Sequence, residues 1–428
     1  MHPEHKRSYL FTTWEGGGNV PPVLGLAQRL VARGHRVRIL AEPCLEAAVL
    51  AIRAEFIPFK KHFTRTDRTQ DLIQDWNTGP LNLATFNNVI VGPAMDVAAD
   101  TLAAVKKAPT DVVVADLMMI GSLIAAEALR VPRVALFHMP EYLPGPNRPP
   151  GGFGLNPKAG VLGRLRDRTL SWMFNRLTGK FLPQINAVRA HYGLGSLHRF
   201  TDLYHKADLR LIQTCEVFDL PISPAPSNVR YVGPVLDDPD WSGKEWLRLP
   251  HEGANPLVVI SMSSTFQNQR QKLENAIAAV GSLPMNGLVT LGPSMAKELF
   301  QAPDNVSIIP ACPHSKVFPK ASVVVTHAGH GTVMRALASG VPLVCLPMGR
   351  DQDDNAARVA FHGAGVKLSA RAKPQHIAEA IELVHEDRSF AQNALRLQRS
   401  ILADAKGDCA VEELEAVAQL RSVFKSIA

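Results

Sequence analysis

The chain has 428 residues, 46% of them hydrophobic and 20% charged, with a net charge of +7. That is ordinary globular composition, with length enough for two domains that each bury a core. Aromatics at 6%, with no lysine- or arginine-rich block, speak against a nucleic-acid groove, and five cysteines scattered singly speak against a disulfide framework or a CxxC zinc site.

Those cysteines predict a reduced, cytoplasmic protein. The N-terminal "MHPEHKRSYLFTTWEGGG" has too short an apolar run for a signal peptide, and no uninterrupted apolar run is long enough for a transmembrane segment. A mild positive balance suits an anionic small molecule, and equally a solvated basic surface.

In chain order, "SYLFTT" (8–13) reads as a strand and "GGGN" as a turn. "PPVLGLAQRLVARG" follows as an amphipathic helix, with Pro21 and Pro22 in its first turn and Gly34 at its C-terminal cap. "HRVRILAE" (35–42) is the second strand, and "DVVVAD" (111–116), a helix and "RVALF" (133–137) repeat the unit. The proline-dense 139–160 is a long loop within this half. The aperiodic 231–256 reads as an interdomain linker. The same grammar then restarts with "PLVVISM" (256–262), "QNQRQKLENAIAAVGS", "GLVTLG", "ASVVVTH" (321–327), a helix through Ala338 and "PLVCLP" (342–347). Strands alternating with helices predict α/β architecture: two Rossmann-like doubly wound domains facing across a cleft. The expected boundaries are 1–230, the linker 231–256, a second domain 257–408, and a helix 409–428 packing across both.

Within this frame "THAGHGTVMRALASGVPLVCLPMGRDQDDN" (326–355) stands at a strand end and a helix start. Gly329 and Gly331 remove side chains where backbone must approach a ligand, and the helix N-terminus offers free N–H groups and partial positive charge, which suits a diphosphate. His327 and Thr332 add hydrogen bonds to its oxygens. Asp351 and Gln352 supply the acceptors and amide that read sugar hydroxyls.

The pattern H-x-G-x-G-T, then G-V-P, then P-x-x-x-D-Q-x-x-N resembles the donor signature of family 1 glycosyltransferases of the GT-B fold. The resemblance extends to "NVPPVLGLAQRLVARGHRV" and "PTDVVVAD". It implies an inverting, metal-independent enzyme moving a sugar from a UDP- or dTDP-sugar, held as co-substrate by the C-terminal domain, to a small apolar acceptor in the N-terminal domain. No further cofactor and no nucleic acid are implied, and homodimerisation is left open. Carried over by position, His327, Gly329, Gly331 and Thr332 hold the diphosphate, Asp351 and Gln352 the sugar, Ser263, Ser264 and Thr265 phosphate or sugar, and Cys312 the base through its backbone. Phe86, Met118, Met119, Met139 and the proline-rich loop would line the acceptor pocket, or be core.

Three positions depart from the family pattern. Asn19 occupies the place of the catalytic His, and an amide cannot accept a proton. The base is therefore expected among Asp116 acting directly, His138 and Glu15, with Asn19 orienting the acceptor. Arg335 replaces a ribose-binding Glu: either the ribose is read elsewhere, or the donor lacks a 2′-hydroxyl, or Arg335 merely pairs with a carboxylate. Ala311 replaces the aromatic residue that stacks on the base. The D-x-D spellings at Asp351–Asp353 and Asp238–Asp240 read as chance, not as a metal site. Two rival readings are a catalytically silent sugar-nucleotide-binding protein, for which Asn19 and Arg335 argue, and a GT-B epimerase. A nicotinamide oxidoreductase does not fit, because "TTWEGGGN" is not a G-x-G-x-x-G turn.

Overall fold

Two parallel sheets stack their carboxyl edges toward each other. The computed structural model describes residues 6–68, 72–73, 83, 85–145, 148–220, 226–243 and 255–427. The first sheet runs in the order β3-β2-β1-β4-β5-β6-β7. Its strands are β1 (Ser8–Thr12), β2 (Arg36–Ala41), β3 (Glu55–Pro58), β4 (Val112–Asp116), β5 (Arg133–Phe137), β6 (Leu209–Ile212) and β7 (Val229–Tyr231). The second is ordered β10-β9-β8-β11-β12-β13, from β8 (Leu257–Ser261), β9 (Asn286–Thr290), β10 (Val306–Ile309), β11 (Val323–Thr326), β12 (Leu343–Cys345) and β13 (Gly365–Lys367).

Every residue of β1 and β4 is buried, as expected of parallel strands covered by helices on both faces. One face of the first sheet packs Leu10, Val113 and Phe137 against Ile120 and Ile124, and the other packs Phe11, Val112 and Val114 against Val23, Leu26 and Leu30. The second sheet is likewise cored on both faces, by Val258, Ile277 and Ile381 on one and Val324, Met334 and Leu397 on the other.

The expected strands are all present, as are the helices Val20–Ala32, Arg270–Gly281 and His330–Ala338. Short or weakly alternating strands escaped the sequence pattern: β3, β6, β7, β10 and β13. The prolines fall at the first positions of Val20–Ala32, and Gly34 N–H closes the helix onto Val31 O at 2.9 Å. Among the described residues, one helical stretch, Phe86–Lys107, is long and apolar enough by mean hydropathy to cross a membrane, although Asn87, Asn88, Asp96 and Asp100 interrupt its apolar run. Val97, Ala98 and Thr101 on it are buried, and it packs on helix Ile120–Ala128.

The chain crosses between sheets at 232–256, of which 244–254 lie outside the described residues. Gly233 (φ 74°) passes so close to Asp404 that a Cβ would lie 2.6 Å from its backbone. Helix Arg388–Lys406 packs on the second sheet's His330–Ala338. The last helix, Cys409–Ile427, then crosses back, burying Val411, Leu414 and Ala418 against the first sheet's helix Val20–Ala32.

Strand order reverses between β1 and β4 in one sheet and between β8 and β11 in the other. Each reversal opens a crevice at the carboxyl ends, where two consecutive crossovers leave on opposite faces.

Candidate active site

A cavity of about 370 Å³ lies where the two crevices meet, lined from both sheets. Its apolar part is formed by Phe86, Ile90, Met118, Met139, Phe174 and Phe200. Met119 takes the other of its two expected places, 1% exposed within the core of the first sheet.

On the first-sheet side, three elements converge. Asp116 ends β4 and is 1% exposed; one carboxylate oxygen accepts the Met118 N–H at 2.9 Å, fixing its rotamer. The other accepts the Asn19 amide at 3.0 Å and faces His138 Nδ1, just beyond β5, at 3.4 Å. His138 and Asn19 line the cavity, and Asp116 lies behind them. The Asn19 amide also donates to Trp14 O (2.8 Å) and Thr13 Oγ1 (3.2 Å), while its carbonyl accepts the Gly16 N–H (3.1 Å). Both N–H groups of the Asn19 amide are therefore committed to protein acceptors. Glu15, the remaining base candidate, does not line the cavity: its carboxylate is bound by Arg68 (3.0 Å) and the Gly17 N–H (2.7 Å).

On the second-sheet side, His327, Gly329, Gly331, Thr332, Ser263, Ser264, Thr265, Cys312, Asp351 and Gln352 all reach the cavity wall. The helix His330–Ala338 has no side-chain cap at its N-terminus. Gly329 is required by His327, because a Cβ there would lie 2.5 Å from Nε2. Burial, and then the Arg350 guanidinium, push the His327 pKa down to about 4, so its ring is neutral. Ala328, a non-glycine residue at φ 66°, is held in place by the Thr326 hydroxyl on its N–H (3.3 Å) and the Asn355 amide on its carbonyl (3.0 Å). Asn355 also donates to Asp351 at 2.8 Å. The asparagine that ends the motif thus ties its two loops together.

Gln352 is fixed by Met348 N–H (2.8 Å) and by donating to Gln267 (2.8 Å). Asp353, the second carboxylate of the D-x-D spelling, pairs outward with Lys367 at 2.7 Å.

Arg335 lines the cavity, but its guanidinium is spent on the linker, donating to Leu236 O (3.3 Å) and Asp237 O. Of the alternatives expected for Arg335, a carboxylate pairing is present only at long range, with Asp238 4.0 Å away.

Several residues at the site carried no readable sequence signal. Arg350, inside the motif at an unspecified position, donates to Thr265 at 3.2 Å and faces the same cavity. His330 reaches Thr214 of the first half at 2.9 Å, and burial, then the neighbouring His138 imidazole, lower its pKa to about 3. His314 sits between Ser261 (3.2 Å) and Thr290 (3.3 Å), with its pKa lowered to about 3 by burial and then by Arg335. Trp241 enters the wall from the linker.

The two halves are joined by buried polar contacts. Arg358 clasps Asp219 at 2.7 Å, and burial of this carboxyl is outweighed by Arg358 and Arg148, which hold it below the usual carboxylate range. Asp354 accepts the Gly154 N–H at 2.7 Å, pinning the proline-rich loop. Gly17 (φ 83°) nearly touches the opposite loop: a Cβ would be 2.7 Å from the Thr265 methyl.

Comparison with known proteins agrees with this architecture. The chain is 29% identical over 399 residues to 4'-demethylrebeccamycin synthase of Lentzea aerocolonigenes, across 91% of this chain and 94% of that one. Its fold matches the glycosyltransferase of kitacinnamycin (TM-score 0.72, 22% identity, 96% and 99% of the chains). It also matches the glycosyltransferase VinC solved in complex with DTDP (TM-score 0.67, 19% identity, 96% and 99%). Residues 161–407 match the family model described as "UDP-glucoronosyl and UDP-glucosyl transferase". The match spans more than half of the chain, which therefore belongs to that family and is a glycosyltransferase of the GT-B fold.

Proposed function

We propose that this glycosyltransferase moves the sugar of a UDP- or dTDP-sugar to a small apolar acceptor by one inverting displacement that needs no metal ion. The observation that carries the reading is the His138–Asp116 contact at the cavity wall, facing the loop and helix start at His327–Thr332 across the cleft. With Nδ1 turned to Asp116, Nε2 is the nitrogen available to the cavity. The Asp116 carboxylate favours the tautomer with the proton on Nδ1, which leaves the Nε2 lone pair free to accept one. The 3.4 Å contact is longer than a hydrogen bond, as is common before substrate closes a site.

In the reaction an acceptor hydroxyl gives its proton to His138 Nε2 while its oxygen bonds to the anomeric carbon. The bond from that carbon to the diphosphate breaks on the far side, so the configuration inverts. Asp116 stabilises the imidazolium. Charge growing on the diphosphate meets the uncapped N-terminus of His330–Ala338, the His327 ring and Arg350. These groups supply the neutralisation for which a metal would otherwise be used. Asp351 and Gln352 face the sugar. Phe86, Met118, Met139 and Phe174 give the acceptor an apolar seat, in keeping with a relative named for rebeccamycin and a structural neighbour named for kitacinnamycin.

The test is turnover of α-linked UDP- and dTDP-hexoses with a panel of aromatic and macrocyclic alcohols, with and without EDTA. A β-glycoside formed equally well under chelation is expected. An α-glycoside, or activity abolished by EDTA, would overturn the mechanism.

A further inference from the structure

We propose that the outer face of helix Gly160–Gly179 is a docking surface for an anionic lipid bilayer. Buried helices of this fold turn apolar residues inward, yet this helix turns many of its largest ones out. Val161 is 71% exposed, Leu162 75%, Leu165 60%, Trp172 64% and Met173 38%. Val161, Leu165 and Trp172 recur at intervals of four and seven residues and share one face. The inward face, carrying Gly163, Asp167, Phe174 and Thr178, is buried. The chain therefore spends its packing on one side of the helix and leaves a second apolar stripe in water, at a hydrophobic cost that a partner would relieve.

Charge decides which partner. Between residues 158 and 180 there are six basic side chains and one acid. The acid, Asp167, is buried and paired with Arg166 at 2.7 Å. Lys158, Arg164, Arg168, Arg176 and Lys180 are all exposed. A second copy of the chain meeting this face about a twofold axis would set like charge on like charge, which disfavours self-association. A bilayer with anionic headgroups satisfies both features. The helix lies in the interface plane, its aliphatic side chains and Trp172 enter the headgroup–acyl boundary, and the arginine and lysine stems extend to lipid phosphates.

The surface is also continuous with the cavity. Phe174, on the inward side of the same helix, lines the cavity and packs edge-on against Tyr142, their ring centroids 6.1 Å apart. A docked bilayer would thus lie one helix thickness from the apolar wall. The inference does not depend on the acceptor reading, and lipid binding is scored with neither donor nor acceptor present.

The test is flotation of the full chain with vesicles of phosphatidylcholine alone or with about one third phosphatidylglycerol. At least about tenfold stronger binding to the anionic vesicles, weakened by added salt, is expected. Two sets of exposed substitutions probe the face: Leu162→Ser with Leu165→Ser and Trp172→Ser, and Arg164→Glu with Arg168→Glu. Each set should lower vesicle binding about tenfold or more while nucleotide-sugar turnover with a water-soluble acceptor stays unchanged, which shows that the fold is intact. Absence of vesicle binding, equal binding to neutral vesicles, or binding indifferent to both sets would overturn the proposal. So would sedimentation showing a dimer that these substitutions dissociate.

Discussion

His138 Nδ1 stands 3.4 Å from the carboxylate of Asp116, although the two residues leave different strands, β5 and β4. The strands are paired in parallel, Asp116 opposite Leu136, so the residue two positions beyond Leu136 falls beside the carboxylate. Asn19, at the start of helix Val20–Ala32, donates its amide to the same carboxylate oxygen at 3.0 Å. A histidine–carboxylate pair is thereby built from a strand that the sequence motif does not use.

This relationship sets an order of effects. His138→Gln is expected to lower kcat by about 10²–10⁴ with donor affinity kept, the range for loss of a general base. Asp116→Asn should fall in the same range and the double variant little lower, because the two act as one unit. Steady-state kinetics and calorimetric donor binding check this. Full activity in His138→Gln with deep loss in Asp116→Asn would return the base role to Asp116.

His327→Ala should weaken UDP or dTDP binding about tenfold to a hundredfold, the loss of one hydrogen bond to a charged group. The shift should be seen in titration calorimetry of the nucleotide diphosphate, and should be small for the nucleoside alone. An equal loss for both ligands would place His327 away from the phosphates.

Arg335 holds the linker through Leu236 O and Asp237 O. Arg335→Glu would aim a carboxylate at those carbonyls and at Asp238, so we expect a lower Tm and weaker binding of UDP and dTDP alike, with no gain for UDP. Arg335→Glu favouring UDP-sugars at unchanged Tm would mean that this position reads the ribose.

Gly17→Ala combines a left-handed φ with a Cβ 2.7 Å from the Thr265 methyl. A cost of about 1–3 kcal/mol in stability is expected, with kcat falling further than that loss explains because the two loops can no longer close. Urea unfolding paired with kinetics separates the two effects. Wild-type kcat would mean that the approach of the loops is dispensable.

Acid should destabilise the fold before the carboxylates titrate. His314, His327 and His330 are neutral when folded, with pKa values near 3, 4 and 3, whereas an unfolded histidine binds a proton near pH 6.5. Their contribution is intact above about pH 6.5 and is lost as pH falls toward 4, by up to about 1.4 kcal/mol per pH unit for each histidine. The Asp219 carboxyl, held low by Arg358, adds its loss only below about pH 4, where the unfolded carboxyl begins to protonate. Denaturant unfolding between pH 7 and 4.5 should show the slope, and His314→Gln should lower it by one proton. A flat profile in that range would contradict the burial of these rings.

Much of the second half was legible because its signals are local. A β-branched strand, a glycine turn and a helix start adjoin one another in the chain, so "THAGHGT" declares its own geometry, and Asp351 and Gln352 follow one short strand later. The alternation of strands and helices likewise fixed the fold class, since it leaves few alternatives to parallel sheets. What tertiary structure decided is which distant groups meet. Nothing near Asn19 announces that Asp116, 97 positions on, accepts its amide, or that His138 completes the pair. Arg335 matched a ligand position by register, yet the linker folds back and takes its donors. Arg350 and His330 sat unmarked inside the motif and gained meaning from Thr265 and Thr214 on other loops. Periodicity and capping are written in neighbouring residues, whereas pairings across strands and between domains depend on sheet order and domain approach, which no local pattern encodes.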